Sequence, residues 1–183
     1  NVAAAHFFDH DNSGYSDLLL LRRNDEPVFL ENKEGRFKEE EVGFEREFTR
    51  PYGALSADYD RDGCMDLLTH QWGGDEPMDY MRAKEIYETH PDTRPRLTGY
   101  SDFLYQGNCE SFSEMTEEAG IMNASYLTFT GSFIDFTDNG YPDLHLANDF
   151  ARDIFYRNER DGTFEAADMG TNSDRNAMSS NVA

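Results

Sequence analysis

Three short stretches of this chain place oxygen-bearing side chains at alternate positions around a glycine. They are Asp9-His10-Asp11-Asn12-Ser13-Gly14-Tyr15-Ser16-Asp17, Asp58-Tyr59-Asp60-Arg61-Asp62-Gly63-Cys64-Met65-Asp66 and Asp135-Phe136-Thr137-Asp138-Asn139-Gly140-Tyr141-Pro142-Asp143. A turn that points every second residue inward converges its oxygens on one point. That suits calcium, a hard cation that takes six to eight oxygen ligands at about 2.3–2.6 Å. Positions 1, 3, 5 and 9 supply side-chain oxygens: Asp9, Asp11, Ser13 and Asp17; Asp58, Asp60, Asp62 and Asp66; Asp135, Thr137, Asn139 and Asp143. Position 7 supplies a backbone carbonyl, from Tyr15, Cys64 or Tyr141. Position 6 bends sharply, and glycine reaches φ > 0 there without a Cβ clash. The second loop has the fullest acidic set, the first is next, and the third has the least charge to offer a cation. Two calcium ions are expected, with the third loop the weakest candidate.

These are not EF-hands, which need a bidentate Glu at position 12 and a helix on each side. Position 12 is Leu20, Thr69 or Leu146, and the flanks, such as Ala5–Phe8 and Leu18–Leu21, read as strands. Residues at position 2 and position 4, such as His10 and Asp138, are expected to point away from the ion.

The elements around the loops repeat as well. Phe29–Phe37, Leu104–Phe112 and Phe155–Phe164 each read as strand, tight turn, strand, with Glu34-Gly35 and Asp161-Gly162 as hairpin signals. Asp9 and Asp58 are 49 residues apart, and Asp58 and Asp135 are 77 apart. The middle unit carries an insertion of about 25 residues, and without it the repeat is roughly 50, as for a four-stranded β-propeller blade. The predicted fold is therefore all-β: three four-stranded antiparallel units of an incomplete propeller, with a short helix in the insertion. The units are expected at about 1–48, 50–122 and 126–170, with a fourth beginning near 178–183. Three units fall short of the four to eight blades of a closed ring, so the chain reads as a fragment whose end sheets need partners.

Asp-Tyr-Asp-Arg-Asp-Gly at 58–63, Tyr-Pro-Asp-Leu-His-Leu-Ala-Asn-Asp-Phe at 141–150, Tyr-Arg-Asn at 156–158, Asp-Gly-Thr-Phe at 161–164 and Met-Thr-Glu-Glu-Ala-Gly-Ile at 115–121 resemble the FG-GAP or VCBS repeat family, and most of all its ASPIC/UnbV and cartilage-acidic-protein branch. Integrin α-subunit propellers are similar at the loops. The resemblance implies extracellular β-propellers with calcium between the first two strands of a blade. It implies no single activity, since the family spans adhesion, lectin-like binding and domains attached to enzymes.

The net charge is −21, from 37 acids and 16 bases, and ten of the acids lie in the three loops. Acid still exceeds base without them. Only Lys33, Lys38 and Lys84 are lysines. Nucleic acid and anionic membranes, which need a basic face, are poor partners. No run of 18 apolar residues is present, so no membrane span is expected.

Cys64 and Cys109 fall in turns at the same end of the middle unit, where a disulfide or two free thiols would both fit; a disulfide would suit an oxidising compartment. Asn123-Ala124-Ser125 is a glycosylation sequon. The insertion, about 72–102, lies at the end away from the loops and holds Trp72; Pro77–His90 reads as its helix. It either shapes a surface for a protein or carbohydrate ligand or forms a lid on the neighbouring blade. No nucleophile elbow, zinc-protease helix or phosphate loop occurs, and His6, His70 and His145 read as structural. The expected function is a calcium-binding extracellular, cell-surface or periplasmic module for adhesion or recognition, calcium being structural and the remaining blades its other partners. The alternative is the propeller part of a secreted or periplasmic enzyme or biosynthetic protein with its catalysis elsewhere.

Overall fold

In the computed structural model, residues 1–44, 46–73, 100–121, 127–149 and 153–170 are described. They form twelve strands: β1 Val2–Phe8, β2 Asp17–Arg22, β3 Val28–Lys33, β4 Arg36–Glu40, β5 Pro51–Ala57, β6 Asp66–Gln71, β7 Phe103–Gly107, β8 Phe112–Glu114, β9 Leu127–Ile134, β10 Asp143–Asp149, β11 Ile154–Asn158 and β12 Phe164–Ala167. Consecutive strands pair into three four-stranded antiparallel sheets in the orders β1-β2-β3-β4, β5-β6-β7-β8 and β9-β10-β11-β12. No helix occurs among the described residues. The predicted helix 77–90, the sequon and the expected start of a fourth unit at 178–183 lie outside them.

The first strands form the spine: β1 packs on β5, and β5 on β9. The second sheet lies between the other two, and its side chains alternate between two cores, as the period of a pleated strand requires. Leu67, Phe103, Tyr105 and Phe112 face the first sheet, where they meet Phe8, Leu19, Leu21, Phe29 and Phe48. Leu68 and Leu104 face the third sheet, where they meet Leu144, Leu146, Tyr156 and Phe164. All six residues of β6 are accordingly buried, whereas β2 alternates between buried and half-buried.

The chain also ties each sheet to the next after its outer strand. The Phe112 amide donates to the Val42 carbonyl at 2.6 Å, and the Phe164 amide donates to the Ala119 carbonyl at 2.8 Å. Gly43 and Gly120, each following its carbonyl, have φ of +93° and +74°. Their backbones lie so close to the Phe112 and Phe164 carbonyl oxygens that an added Cβ would sit 2.5 and 2.7 Å away.

The hairpin signals differ in detail. Glu34 and Gly35 both have positive φ, 54° and 86°, as a type I′ turn requires. Around Asp161-Gly162 the left-handed residues are Arg160 and Gly162, and the Glu159 amide closes the turn on the Thr163 carbonyl at 2.9 Å. Asp161 instead accepts from the Thr163 amide and hydroxyl.

Candidate metal centre

All three loops join the first two strands of a sheet, and each position 9 aspartate opens the second strand. Asp17, Asp66 and Asp143 are fully buried. One oxygen of each reaches back into its loop, accepting from the amides of His10 (2.9 Å), Tyr59 (2.8 Å) and Thr137 (2.9 Å). The other crosses to the third strand, accepting from the amides of Asn32 (2.8 Å), Gly107 (2.9 Å) and Asn158 (2.8 Å). Position 9 is thus a two-sided anchor of the loop, whatever else its remaining lone pairs hold.

The second loop gathers the most complete donor set. Carboxylate oxygens of Asp58, Asp60 and Asp66 all lie within 4.8 Å of one another. Asp58 accepts from the Gly63 amide through one oxygen, at 3.1 Å. Its Oδ1 is buried with no hydrogen-bond partner, which is costly for a carboxylate unless something positive meets it. Burial pushes the Asp66 carboxyl up to about 8, against the two amides that favour its ionised form, and Asp60 and Asp62 add to the rise. A divalent cation would reverse that balance. Asp62 accepts from the Cys64 amide at 2.7 Å and Asp60 from the Asp62 amide at 3.1 Å, while the Gln106 side-chain amide also donates to Asp60.

The first loop brings Asp11 and Asp17 together with His10. His10 does not face outward as position 2 was expected to. It is buried, edge-on to Phe29 at 4.8 Å and 5.9 Å from Phe112, with Nδ1 3.3 Å from Asp17. Tyr59 does the same in the second loop, fully buried against Phe164 at 5.2 Å. The reason is the strand period: position 2 continues the inward face of the preceding strand into the core between sheets. Asp9 accepts from the amides of Ser13 (3.0 Å) and Gly14 (2.8 Å), and Asp11 from Ser13 (3.1 Å). The Ser13 hydroxyl accepts from the Tyr15 amide at 3.3 Å.

The third loop satisfies its own acceptors. Thr137 donates its hydroxyl, as well as its amide, to the Asp143 oxygen at 3.0 Å. The Asn139 side chain accepts from the Tyr141 amide at 2.8 Å and donates to the Asn158 carbonyl at 3.2 Å. Asp135 accepts from Asn139 and Gly140, and the Asn139 amide foremost holds its carboxyl below the usual range. No three-member acidic or histidine cluster forms here among the described residues.

Residues outside the loops complete the site, and alternating-aspartate logic does not find them. Asn32 and Asn158 occupy equivalent ends of the third strands, opposite Phe37 and Phe164. Their side-chain amides donate to the position 8 carbonyls of Ser16 (2.8 Å) and Pro142 (3.0 Å). The middle sheet has Gly107 there, opposite Phe112, with room for no side chain against the Met65 carbonyl. Two residues further on, Cys109 forms the Cys64–Cys109 disulfide, which supplies the missing tie, with Cα atoms 5.1 Å apart. The Asn-x-x-Gly spacing of the first hairpin was the available signal.

Among the described residues, the histidines outside the loops, His6, His70 and His145, have structural partners or surroundings. His6 bonds Ser56 between β1 and β5 at 3.0 Å; His145 lies 3.2 Å from Asp153 and stacks on Phe155; His70 is buried. At the other end of the sheets only the margins of the insertion are described.

Meandering four-stranded sheets with an acidic turn between their first two strands define a repeat protein with blade-like units. Residues 9–69, about a third of the chain, match the family model described as an FG-GAP-like repeat. That segment contains the first two loops and the whole first sheet beyond β1. No curated protein matches the chain.

Proposed function

We propose that this chain is part of an extracellular β-propeller stabilised by calcium, serving as a module for binding or adhesion. The observation that carries the proposal is the convergence of Asp58, Asp60 and Asp66, with one Asp58 oxygen buried and unpartnered. The donor set is all oxygen and mainly carboxylate, which selects a hard cation over a soft one. Asp58, Asp60 and Asp66, with Asp62 and the Cys64 carbonyl, would hold one ion in the second loop. Asp9, Asp11, Ser13, Asp17 and the Tyr15 carbonyl would hold another in the first. The third loop, with Thr137 and Asn139 committed to Asp143 and Asn158, takes the weakest ion or none.

The ion's role is structural: it neutralises clustered aspartates and ties two strands at their turn. A ligand that binds only the folded state stabilises it by about 2.7 kcal/mol at 100-fold saturation. The disulfide inside the loop region and the FG-GAP-like match support an extracellular or periplasmic setting. The motifs at 58–63, 115–121 and 141–150 carry the proposed affiliation with the ASPIC/UnbV branch, and recognition of a protein or carbohydrate through the 72–102 insertion is the proposed use. Calorimetric titration of the metal-stripped chain with calcium tests the site: two ions bound with loop carboxylates required is the expected result. Absence of binding at millimolar calcium contradicts it.

A further inference from the structure

We propose that the fourth residue of an acidic loop latches that loop to the next one, so that the first two calcium sites fill cooperatively. The inference rests on the calcium reading above but concerns residues that touch no ion. Position 4 is left-handed in all three loops, with φ of 56° at Asn12, 62° at Arg61 and 54° at Asp138. The Asn12 side-chain amide donates to the Gly63 carbonyl, and Arg61 Nη1 donates to the Gly140 carbonyl at 3.1 Å. The same relation therefore occurs twice, from position 4 of one loop to the position 6 carbonyl of the next. Arg61 also lies 5.3 Å from the centre of the Tyr141 ring, at position 7 of the receiving loop.

The acceptor peptide is the informative part. The Gly63 carbonyl belongs to the peptide that leads into Cys64, whose own carbonyl is the backbone ligand of the second site. That peptide is held by Asn12 from the neighbouring sheet and by the Cys64–Cys109 disulfide from its own. Asn12 itself sits between Asp11 and Ser13, two donors of the first site. An ion in the first loop fixes the backbone on both sides of Asn12, and so fixes the latch. The second loop then has less conformational freedom to lose on binding, which raises its affinity. The coupling is reciprocal, and effects of this type amount to about 5-fold or more in affinity. At the third loop the latch delivers a guanidinium to a loop that has already satisfied its carboxylates. Asp138 is an acceptor when ionised and cannot donate to a carbonyl, so the relay ends there.

The test is calcium titration of the full chain and of single-site variants. Asp60→Ala leaves the first loop to report alone, and Asp9→Ala leaves the second. Both isolated sites are expected to bind about 5-fold or more weakly than in the parent with the other site filled, by the same factor. Asn12→Gly keeps the left-handed backbone and removes the donor; Asn12→Asp keeps the left-handed tolerance and cannot donate. Either variant is expected to bind two ions with the coupling gone, and the second of them reports should the first lose its fold. Independent sites in the parent, or full coupling in both Asn12 variants, would overturn the latch while leaving calcium binding intact. No calcium binding by the parent would overturn both readings.

Discussion

Asp66 accepts the amide of Gly107 across 41 residues of sequence, at 2.9 Å, and so fixes the second acidic loop to the third strand of its sheet. Its other oxygen holds the Tyr59 amide. The residue is therefore both a member of the cation cluster and the peg on which the loop hangs. Those roles separate experimentally. Asp66→Ala leaves two buried amides without acceptors, each worth about 1–3 kcal/mol. Urea unfolding is expected to show a loss of about 2–4 kcal/mol in EDTA as well as in calcium. Asp60→Ala, which frees no core amide, should cost stability in calcium and little in EDTA. Equal behaviour of the two variants would refute the division.

The glycines between sheets give a second prediction. At Gly43 a methyl group would meet the Phe112 carbonyl oxygen at 2.5 Å, on a backbone with φ of +93°. Gly43→Ala is expected to cost about 2–4 kcal/mol, from left-handed strain plus displacement of the neighbouring strand. Gly170 has a φ of +64° but nothing within 4 Å, so Gly170→Ala should cost only about 1 kcal/mol. Thermal melting of the two variants side by side decides it; the opposite order would show that the inter-sheet contact is not tight.

In the middle sheet Gly107 takes the place of Asn32 and Asn158, and the nearby Cys64–Cys109 disulfide makes the tie instead, so its loss should be felt in the loop. Removing a disulfide commonly costs about 2–4 kcal/mol. The Cys64→Ser, Cys109→Ser double variant is expected to lose that much and to bind calcium more weakly at the second loop than at the first. Unchanged calcium affinity at the second loop would mean that Asp66 and Asn12 position it without the disulfide.

Asp102 supplies a pH dependence at the opposite end of the sheets. It accepts from the Gln71 amide and the Thr128 hydroxyl, and burial pushes its carboxyl up to about 7. A carboxyl raised on folding favours the folded state when protonated. That contribution is complete below the ordinary carboxylate range and is lost as pH rises through about 7. Asp102→Asn should therefore melt above the parent at pH 8, with the advantage shrinking by about 1–2 kcal/mol toward pH 5. His70, which burial lowers to about 4, works the other way as pH falls below the ordinary imidazole value. Comparing variant with parent at each pH cancels it. A difference that stays flat across this range would show that Asp102 does not titrate between about pH 5 and pH 8 and would contradict the shift.

The place of the acidic loops between paired strands, and the strand order, were legible because both are local: a turn around a glycine, and apolar runs on either side. The four-stranded units followed from their spacing. What stayed hidden depends on contacts between distant residues. His10 is polar and sits in a polar loop, yet the strand period carries it into the core beside Phe29 and Phe112. Asn32, Gly107 and Asn158 look like ordinary turn residues, and only their register opposite the outer-strand phenylalanines shows what they hold. The weakness expected of the third loop came from its charge; the geometry adds that Thr137 points its hydroxyl at Asp143. The disulfide was one of two arrangements consistent with the two cysteines, and the fold makes it.

The most direct test of the central claim is the melting temperature of the metal-stripped chain with and without calcium, beside Asp60→Ala. A 1 kcal/mol gain corresponds to roughly 2–4 °C in a chain of this size. Saturating calcium is therefore expected to raise the parent by about 5 °C or more, and Asp60→Ala by clearly less. A parent that melts at the same temperature in calcium and in EDTA would contradict the calcium-stabilised module proposed for this chain.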